Sequence, residues 1–194
     1  MNDRFVVVDV ETANADVASI CQIGVVTFEN GAVRNRWSTL VDPEDSFDGM
    51  NISIHGIDEE QVRGAPRFPD VEDRLRQSFA TTIVASHMPF DRVAIAKACD
   101  KYHLPGIECT WLDTAKVARR TWPQFSRRGY GLASIASWLE IEFEHHDAEE
   151  DALAAGHVLL HALRHSGLTV DDWVVRANQP IGKARLGVGG SFQS

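Results

Sequence analysis

The sequence predicts an α/β fold, with helices packed around a mixed sheet. Three observations predict it. The run Phe5-Val6-Val7-Val8 is apolar enough for a strand buried on both faces. Two further strand-like runs follow, with a tight turn between them. From Asp58 onward, helical and strand-like stretches alternate.

Residues 4–9 form the first strand, and as the most apolar one it belongs at the centre of the sheet. Residues 20–28 (ICQIGVVTF) and 32–41 (AVRNRWSTLV) form the second and third. Glu29-Asn30-Gly31 separates them, and Asn-Gly tolerates the positive φ of a hairpin turn. Connections this short favour an antiparallel meander, because a parallel crossover needs roughly a dozen residues or more. Asp42-Pro43 ends the third strand. Helices are expected at 58–63 and 69–79, around Pro66 and Pro69, and a short strand at 82–86. Pro89 suits the first position of the helix that continues through Tyr102. A strand at 107–112 and helices at 113–120 and 131–139 follow.

The last long helix is the best marked. Asp147-Ala148-Glu149-Glu150 fits a capping box, with Asp147 as N-cap and Glu150 reaching back. Ala148, Ala152, Ala155, Leu159 and Leu163 recur at helical spacing, and Ser166-Gly167 stops the helix. A short helix over Thr169 to Ala177 completes a domain of residues 1–177. Residues 178–194 carry four glycines and few large apolar side chains, and read as a flexible tail.

A chain of 194 residues, 44% hydrophobic and 24% charged, fits one soluble domain with a short extension. It holds no apolar run long enough for a membrane span and no secretory leader. Cys21, Cys99 and Cys109 are odd in number, far apart and form no Cys-x-x-Cys pair, which fits reduced thiols in a cytoplasmic protein. The net charge of −9 argues against a protein that coats nucleic acid through a broad basic surface. It leaves room for an enzyme that handles one end of a strand.

The first strand ends in carboxylates. Side chains alternate along a strand, so Phe5, Val7, Asp9 and Glu11 share one face. With about 3.3 Å rise per residue, the Asp9 and Glu11 Cβ atoms stand roughly 7 Å apart, within reach of one cation or two neighbouring ones. Read alone, the pair fits solvated residues past the strand end equally well. Two further acids shift the balance. Asp91 opens the helix after the strand at 82–86, and Asp151 lies one turn into the capped helix. Oxygen donors without a cysteine suit Mg²⁺ or Mn²⁺ rather than zinc. His146 precedes Asp151 by five residues and can act as a base, since its pKa lies near working pH.

The ordered set Asp9-Val10-Glu11-Thr12, Phe90-Asp91 and His146 with Asp151 resembles the DEDDh exonucleases, the DnaQ-like family. Gln22-Ile23-Gly24, Asp42-Pro43, Ile54-His55-Gly56-Ile57, Asp113-Thr114 and Tyr130-Gly131-Leu132 are similar too, so the resemblance runs over residues 4–165. It implies an RNase H-like fold and a 3′-to-5′ exonuclease acting on single-stranded nucleic acid, DNA favoured, to release nucleoside 5′-monophosphates. It implies that Asp9, Glu11, Asp91 and Asp151 bind two Mg²⁺ or Mn²⁺ ions and that His146 is the general base. It places Thr12 and His55 near the terminal nucleotide, and makes a 3′ end of DNA or RNA, and a DNA polymerase subunit, the expected partners. One position departs from the pattern. The family often has Asn four residues before the second-motif Asp, where this chain has His87. That puts substrate positioning, and with it sugar preference, in question.

Other features carry less. His157, His161 and His165 repeat at helical spacing and read as a polar helix face rather than a metal site. Lys116, Arg119, Arg120, Arg127 and Arg128 lie within thirteen residues and can guide a strand by its phosphates, with Trp122 or Phe125 stacking on bases. Trp37, Trp111 and Trp138 read as core. A non-catalytic nucleic-acid or polymerase-binding module is the alternative, and the complete set of catalytic candidates weighs against it. A haloacid-dehalogenase-type phosphotransferase would call for Asp-x-Asp and a parallel βαβ unit, where this chain has Asp-x-Glu and a meander.

Overall fold

The computed structural model describes residues 4–80 and 82–179. Its five strands are β1 (Arg4–Thr12), β2 (Ile20–Glu29), β3 (Ala32–Leu40), β4 (Ile83–Ser86) and β5 (Thr110–Asp113). They form one mixed sheet in the order β3-β2-β1-β4-β5. The three N-terminal strands pair antiparallel, and β4 and β5 add parallel to β1. The expected meander and central first strand are both present.

Alternation along β1 divides the core in two. Val6, Val8 and Val10 pack with Ile23 and Val25 against α2 (Phe68–Phe79) and α3 (Phe90–Lys101). Phe5 and Val7 pack with Val26 and Phe28 on the other face. That face is covered by α4 (Thr114–Thr121), α5 (Leu132–Trp138), α6 (Ala148–Ser166) and α7 (Val170–Asn178). Asp9 and Glu11 continue the α6 side of β1.

The approach of α6 to the sheet depends on two glycines. Gly24 is the register partner of Asp9, and a Cβ there would lie 2.2 Å from the Ala148 backbone. A Cβ on Gly156 would lie 2.0 Å from the Phe28 ring. Gln22, two residues before Gly24, fixes the incoming helix end. Its amide donates to Asp147 Oδ2 (3.1 Å) and its carbonyl oxygen accepts from the Ala148 N–H (3.2 Å).

Several expectations need correction. Strand β1 runs on to Thr12, so Asp9 and Glu11 lie within it, Glu11 opposite Gln22. Residues 58–63 form turns, not a helix; the Asp58 carboxylate accepts from the Glu60 and Gln61 N–H groups. A helix not anticipated, α1 (Gly49–His55), precedes them. Pro89 is the N-cap of α3 rather than its first helical residue. Asp147 does cap α6, accepting from Glu149 and Glu150, but Glu150 does not reach back. Its carboxylate turns to Arg36 (3.5 Å), and the Asp147 N–H donates to the Glu144 carbonyl instead (3.4 Å). Trp122 and Phe125 are buried, so they are core and not stacking platforms, whereas Trp138 is 50% exposed. The expected boundary after residue 177 falls in the last turn of α7, where Ala177 is buried. The rest of the expected tail, from residue 180, lies outside the described residues.

Gly24→Ala should lower the thermal midpoint by about 3–10 °C, since forcing a methyl into a packed contact costs about 1–3 kcal/mol. An unchanged midpoint in thermal unfolding would mean that α6 can move off β2 freely.

Candidate active site

Carboxyl oxygens of Asp9, Glu11 and Asp151 lie within 4.8 Å of one another. β1 supplies the first two, and the α6 N-terminus held by Gln22 and Gly24 supplies the third. Asp91, in the first turn of α3, lines the same cleft but does not join this cluster; its Oδ1 accepts the Val10 N–H (3.0 Å). Asp91 and Asp151 are buried. The cleft measures about 240 Å³ and is also lined by His87, Met88, Phe90, Gly131, His145 and His146. A larger cavity of about 800 Å³ lies at the opposite sheet end, near Arg4, Ile83 and Thr110, away from these carboxylates.

So many acids in one place repel each other. Burial, reinforced by Asp91, Asp151 and Glu11, holds the Asp9 carboxyl well above the usual carboxylate range. Burial, then Asp151 and Asp91, pushes Glu11 up to about 8. Burial pushes Asp91 up to about 7 against the opposing pull of the Val10 N–H. Among the described residues, the basic side chains beside these acids are His145 at Asp151 and His146 at Glu11; no lysine or arginine pairs with them. An all-oxygen donor set without a resident cation fits a hard divalent metal ion.

The sequence profile of a family described as "Exonuclease", of the ribonuclease T type, matches residues 6–159. The chain belongs to this exonuclease family. The 3'-5' exonuclease DinG of Bacillus subtilis (strain 168) is 30% identical over 167 residues, covering 82% of this chain and 18% of that protein. A PolC-type DNA polymerase III of Caldanaerobacter subterraneus subsp. tengcongensis is 29% identical over 167 residues, covering 84% of this chain and 12% of that protein. The chain thus spans less than a fifth of the length of these relatives. Exonuclease X, solved with 5' overhanging duplex DNA, superposes with TM-score 0.75 at 24% identity, over 89% of this chain and 99% of its own. E. coli exonuclease I, solved with a dT13 oligonucleotide, gives TM-score 0.75 at 14% identity, over 85% of this chain and 42% of its own. The shared architecture is the RNase H-like fold.

The four histidines around the cleft differ in how they are held. His55 accepts the Ile57 N–H at Nδ1 (3.0 Å), so Nε2 carries the proton and donates to the Thr12 carbonyl (3.1 Å). Asn51, which the sequence pattern does not reveal, donates to the same carbonyl (2.8 Å). His87 Nε2 donates to the Tyr130 carbonyl (2.8 Å), and Nδ1 meets the Thr114 hydroxyl (2.9 Å). Burial lowers the pKa of His55 and of His87, which keeps both rings neutral. His145, equally hidden in the sequence, places Nδ1 2.7 Å from Asp151 Oδ1; its only sequence signal is adjacency to His146. His146 donates its backbone N–H to Asp151 Oδ2 (2.9 Å), and its ring makes no hydrogen bond among the described residues. The His146 ring stacks on His145 at 3.9 Å, and its Nδ1 lies 3.9 Å from Glu11 Oε1. Burial and the neighbouring His145 lower its pKa. Two residues lining the cleft, Met88 and His146, have positive φ (76° and 72°), an uncommon backbone state for side chains of this size.

A carboxyl whose pKa is raised by folding stabilises the fold in its protonated form. That stability is present in full below about pH 4 and is lost as pH rises through the folded values near 7 and 8. Asp9→Asn removes the most crowded acid. It should raise the thermal midpoint of the metal-free protein by about 3–6 °C at pH 8 and by much less at pH 5. Equal shifts at both pH values would contradict the crowding.

Proposed function

We propose that the chain is a metal-dependent 3′-to-5′ exonuclease that removes nucleoside 5′-monophosphates from single-stranded nucleic acid, with DNA favoured. The observation that carries this reading is the convergence of Asp9, Glu11 and Asp151 within 4.8 Å, beside a histidine with an uncommitted ring. The relative described as a 3'-5' exonuclease and the two structural neighbours solved with DNA support it. A DNA polymerase is the partner class of this reading, supported by the PolC-type relatives.

The reaction breaks the bond between phosphorus and the 3′ oxygen of the penultimate nucleotide; a water oxygen takes its place on phosphorus, and the departing 3′ oxygen takes a proton from solvent to become a hydroxyl. Asp9, Glu11, Asp91 and Asp151 would hold two Mg²⁺ or Mn²⁺ ions, which would supply Lewis acidity at the phosphate and would offset the crowding of the acids. His146 takes the proton from the attacking water. Its lowered pKa keeps the ring neutral and able to accept. Thr12 and His55 shape the floor under the terminal nucleotide: the Thr12 carbonyl is fixed by Asn51 and His55. His87 acts on the substrate through the Tyr130 segment that it anchors, next to Gly131 and Leu132 of the cleft wall.

Oligonucleotides of DNA and RNA, labelled at either end and incubated with Mg²⁺ or Mn²⁺, test the reading. A shrinking ladder from the 5′ label and immediate mononucleotide from the 3′ label is expected, abolished by chelator and by Asp9→Ala. Retained activity in Asp9→Ala would remove the metal assignment, and binding without cleavage would bring the non-catalytic module forward. His146→Ala should reduce kcat by about 10²–10⁴-fold. It should also erase the acidic limb of the pH–rate profile, which lies below the ordinary histidine value of about 6.5. An unchanged limb would exclude His146 as the base.

A further inference from the structure

The cleft does not end at the carboxylates. Met88 lines it and also lines a second groove of about 70 Å³, bounded by Pro89, Arg92, Trp111 and Lys116. Beside the groove, Met88 and Phe90 leave 40% and 43% of their surface exposed, an apolar ridge between the two depressions. Arg92 and Lys116 are exposed, and neither forms an ion pair among the described residues. The groove's one acid, Asp113, is engaged as an acceptor for the Met88 (3.2 Å) and Lys116 (3.1 Å) N–H groups.

The cationic stretch noted in the sequence divides here into committed and free members. Arg119 lies over the Tyr130 ring at 4.5 Å and donates to the Ser126 carbonyl (3.3 Å). Arg120 donates to the Lys116 and Gln179 carbonyls (3.3 and 2.6 Å). Among the described residues the Lys116 ammonium makes no such bond, and Arg92, from the first turn of α3, lines the groove with it.

We propose that this groove carries the single strand on the 5′ side of the nucleotide being removed. Arg92 and Lys116 neutralise its backbone phosphates, and Met88 and Phe90 support the bases as they leave the cleft. The inference rests on the function proposed above. It favours a polynucleotide over an acidic protein segment because the cations adjoin an apolar ridge that continues into the carboxylate cleft. In a chain of net charge −9, two unpaired cations beside an acidic centre provide the attraction that the centre itself denies a phosphate chain.

The test compares the full-length wild type with the Arg92→Gln/Lys116→Gln double variant on two substrates. One is the p-nitrophenyl ester of thymidine 5′-monophosphate, too short to reach the groove. The other is a thymidylate oligomer of about fifteen nucleotides, within the length range that single-strand sites span. The double variant should keep wild-type hydrolysis of the ester and lose about tenfold in kcat/KM on the oligomer. Oligomer binding, read by fluorescence anisotropy in the inactive Asp9→Asn background, should show a log–log salt slope smaller by about 1.4, or about 0.7 for each phosphate no longer neutralised. Arg34→Gln, on strand β3 at the far edge of the sheet, should change neither substrate. Equal losses on both substrates, or an unchanged salt slope, would overturn the proposal. A wild type that hydrolyses neither substrate, yet loses oligomer binding and slope in the double variant, would refute the catalytic reading and keep the groove. A wild type that neither hydrolyses nor binds would refute both.

Discussion

The contact between the α6 N-terminus and strand β2 decides where the chemistry can happen. Gly24 leaves room for the Ala148 backbone at a distance no side chain would permit. Gln22 then holds the Asp147 carboxylate and the Ala148 N–H, fixing the helix in azimuth as well as depth. Because Gly24 pairs with Asp9 in register, the helix arrives beside the strand acids, and Asp151 comes within 4.8 Å of Asp9 and Glu11. The glutamine and glycine of the second strand are therefore as much part of the site as the acids. They act at one remove, by setting a helix position that loop chemistry alone would leave free.

That geometry is costly without a cation. Asp9, Glu11 and Asp91 all have their charged forms disfavoured, chiefly by burial, with neighbouring acids such as Asp151 adding to it. The protein keeps the arrangement by over-determining it. Val10 donates to Asp91, His146 donates its backbone N–H to Asp151, and the left-handed backbones of Met88 and His146 are held in place between rigid elements. A site built this way suits a divalent ion, because binding one would remove repulsion as well as add bonds.

The parts of the fold that depend on hydrophobic pattern were legible in the sequence. Strand β1, the meander, and α6 with its Asp147 cap and Gly167 stop all announce themselves by periodicity or capping chemistry. What was not legible depends on contacts distant in sequence. Helix α1 has glycine, asparagine and β-branched isoleucines, buries no residue, and is held by Asn51 and His55 reaching to Thr12. Residues 58–63 have good helix formers, but Asp58 turns its side chain to the following N–H groups and Gly64 and Pro66 close the segment. Trp122 and Phe125 look like exposed aromatics in a basic loop, and only tertiary packing against Trp138 shows them to be core. The candidate site followed the same division. Its acids sit where the strand and helix patterns put them, while His145 and Asn51 matter only through partners the sequence does not name.

His87 shows what the structure adds to a motif. At the sequence level, histidine in place of asparagine raised the question of a changed contact with the sugar. In the fold, both ring nitrogens are committed: one to the Tyr130 carbonyl before α5, the other to the Thr114 hydroxyl at the start of α4. A half-buried neutral ring in that position joins the end of β4 to two segments that follow it. Tyr130 leads directly into Gly131 and Leu132, which line the cleft. The ring thus lines the cleft itself and also fixes the wall beside it. A residue that pins a wall changes how much room every nucleotide finds, whereas a residue that touches the sugar changes which nucleotide is preferred. Asparagine there would end short of the position that Nε2 occupies, so the substitution would loosen the Tyr130 contact and, with it, the placement of the wall.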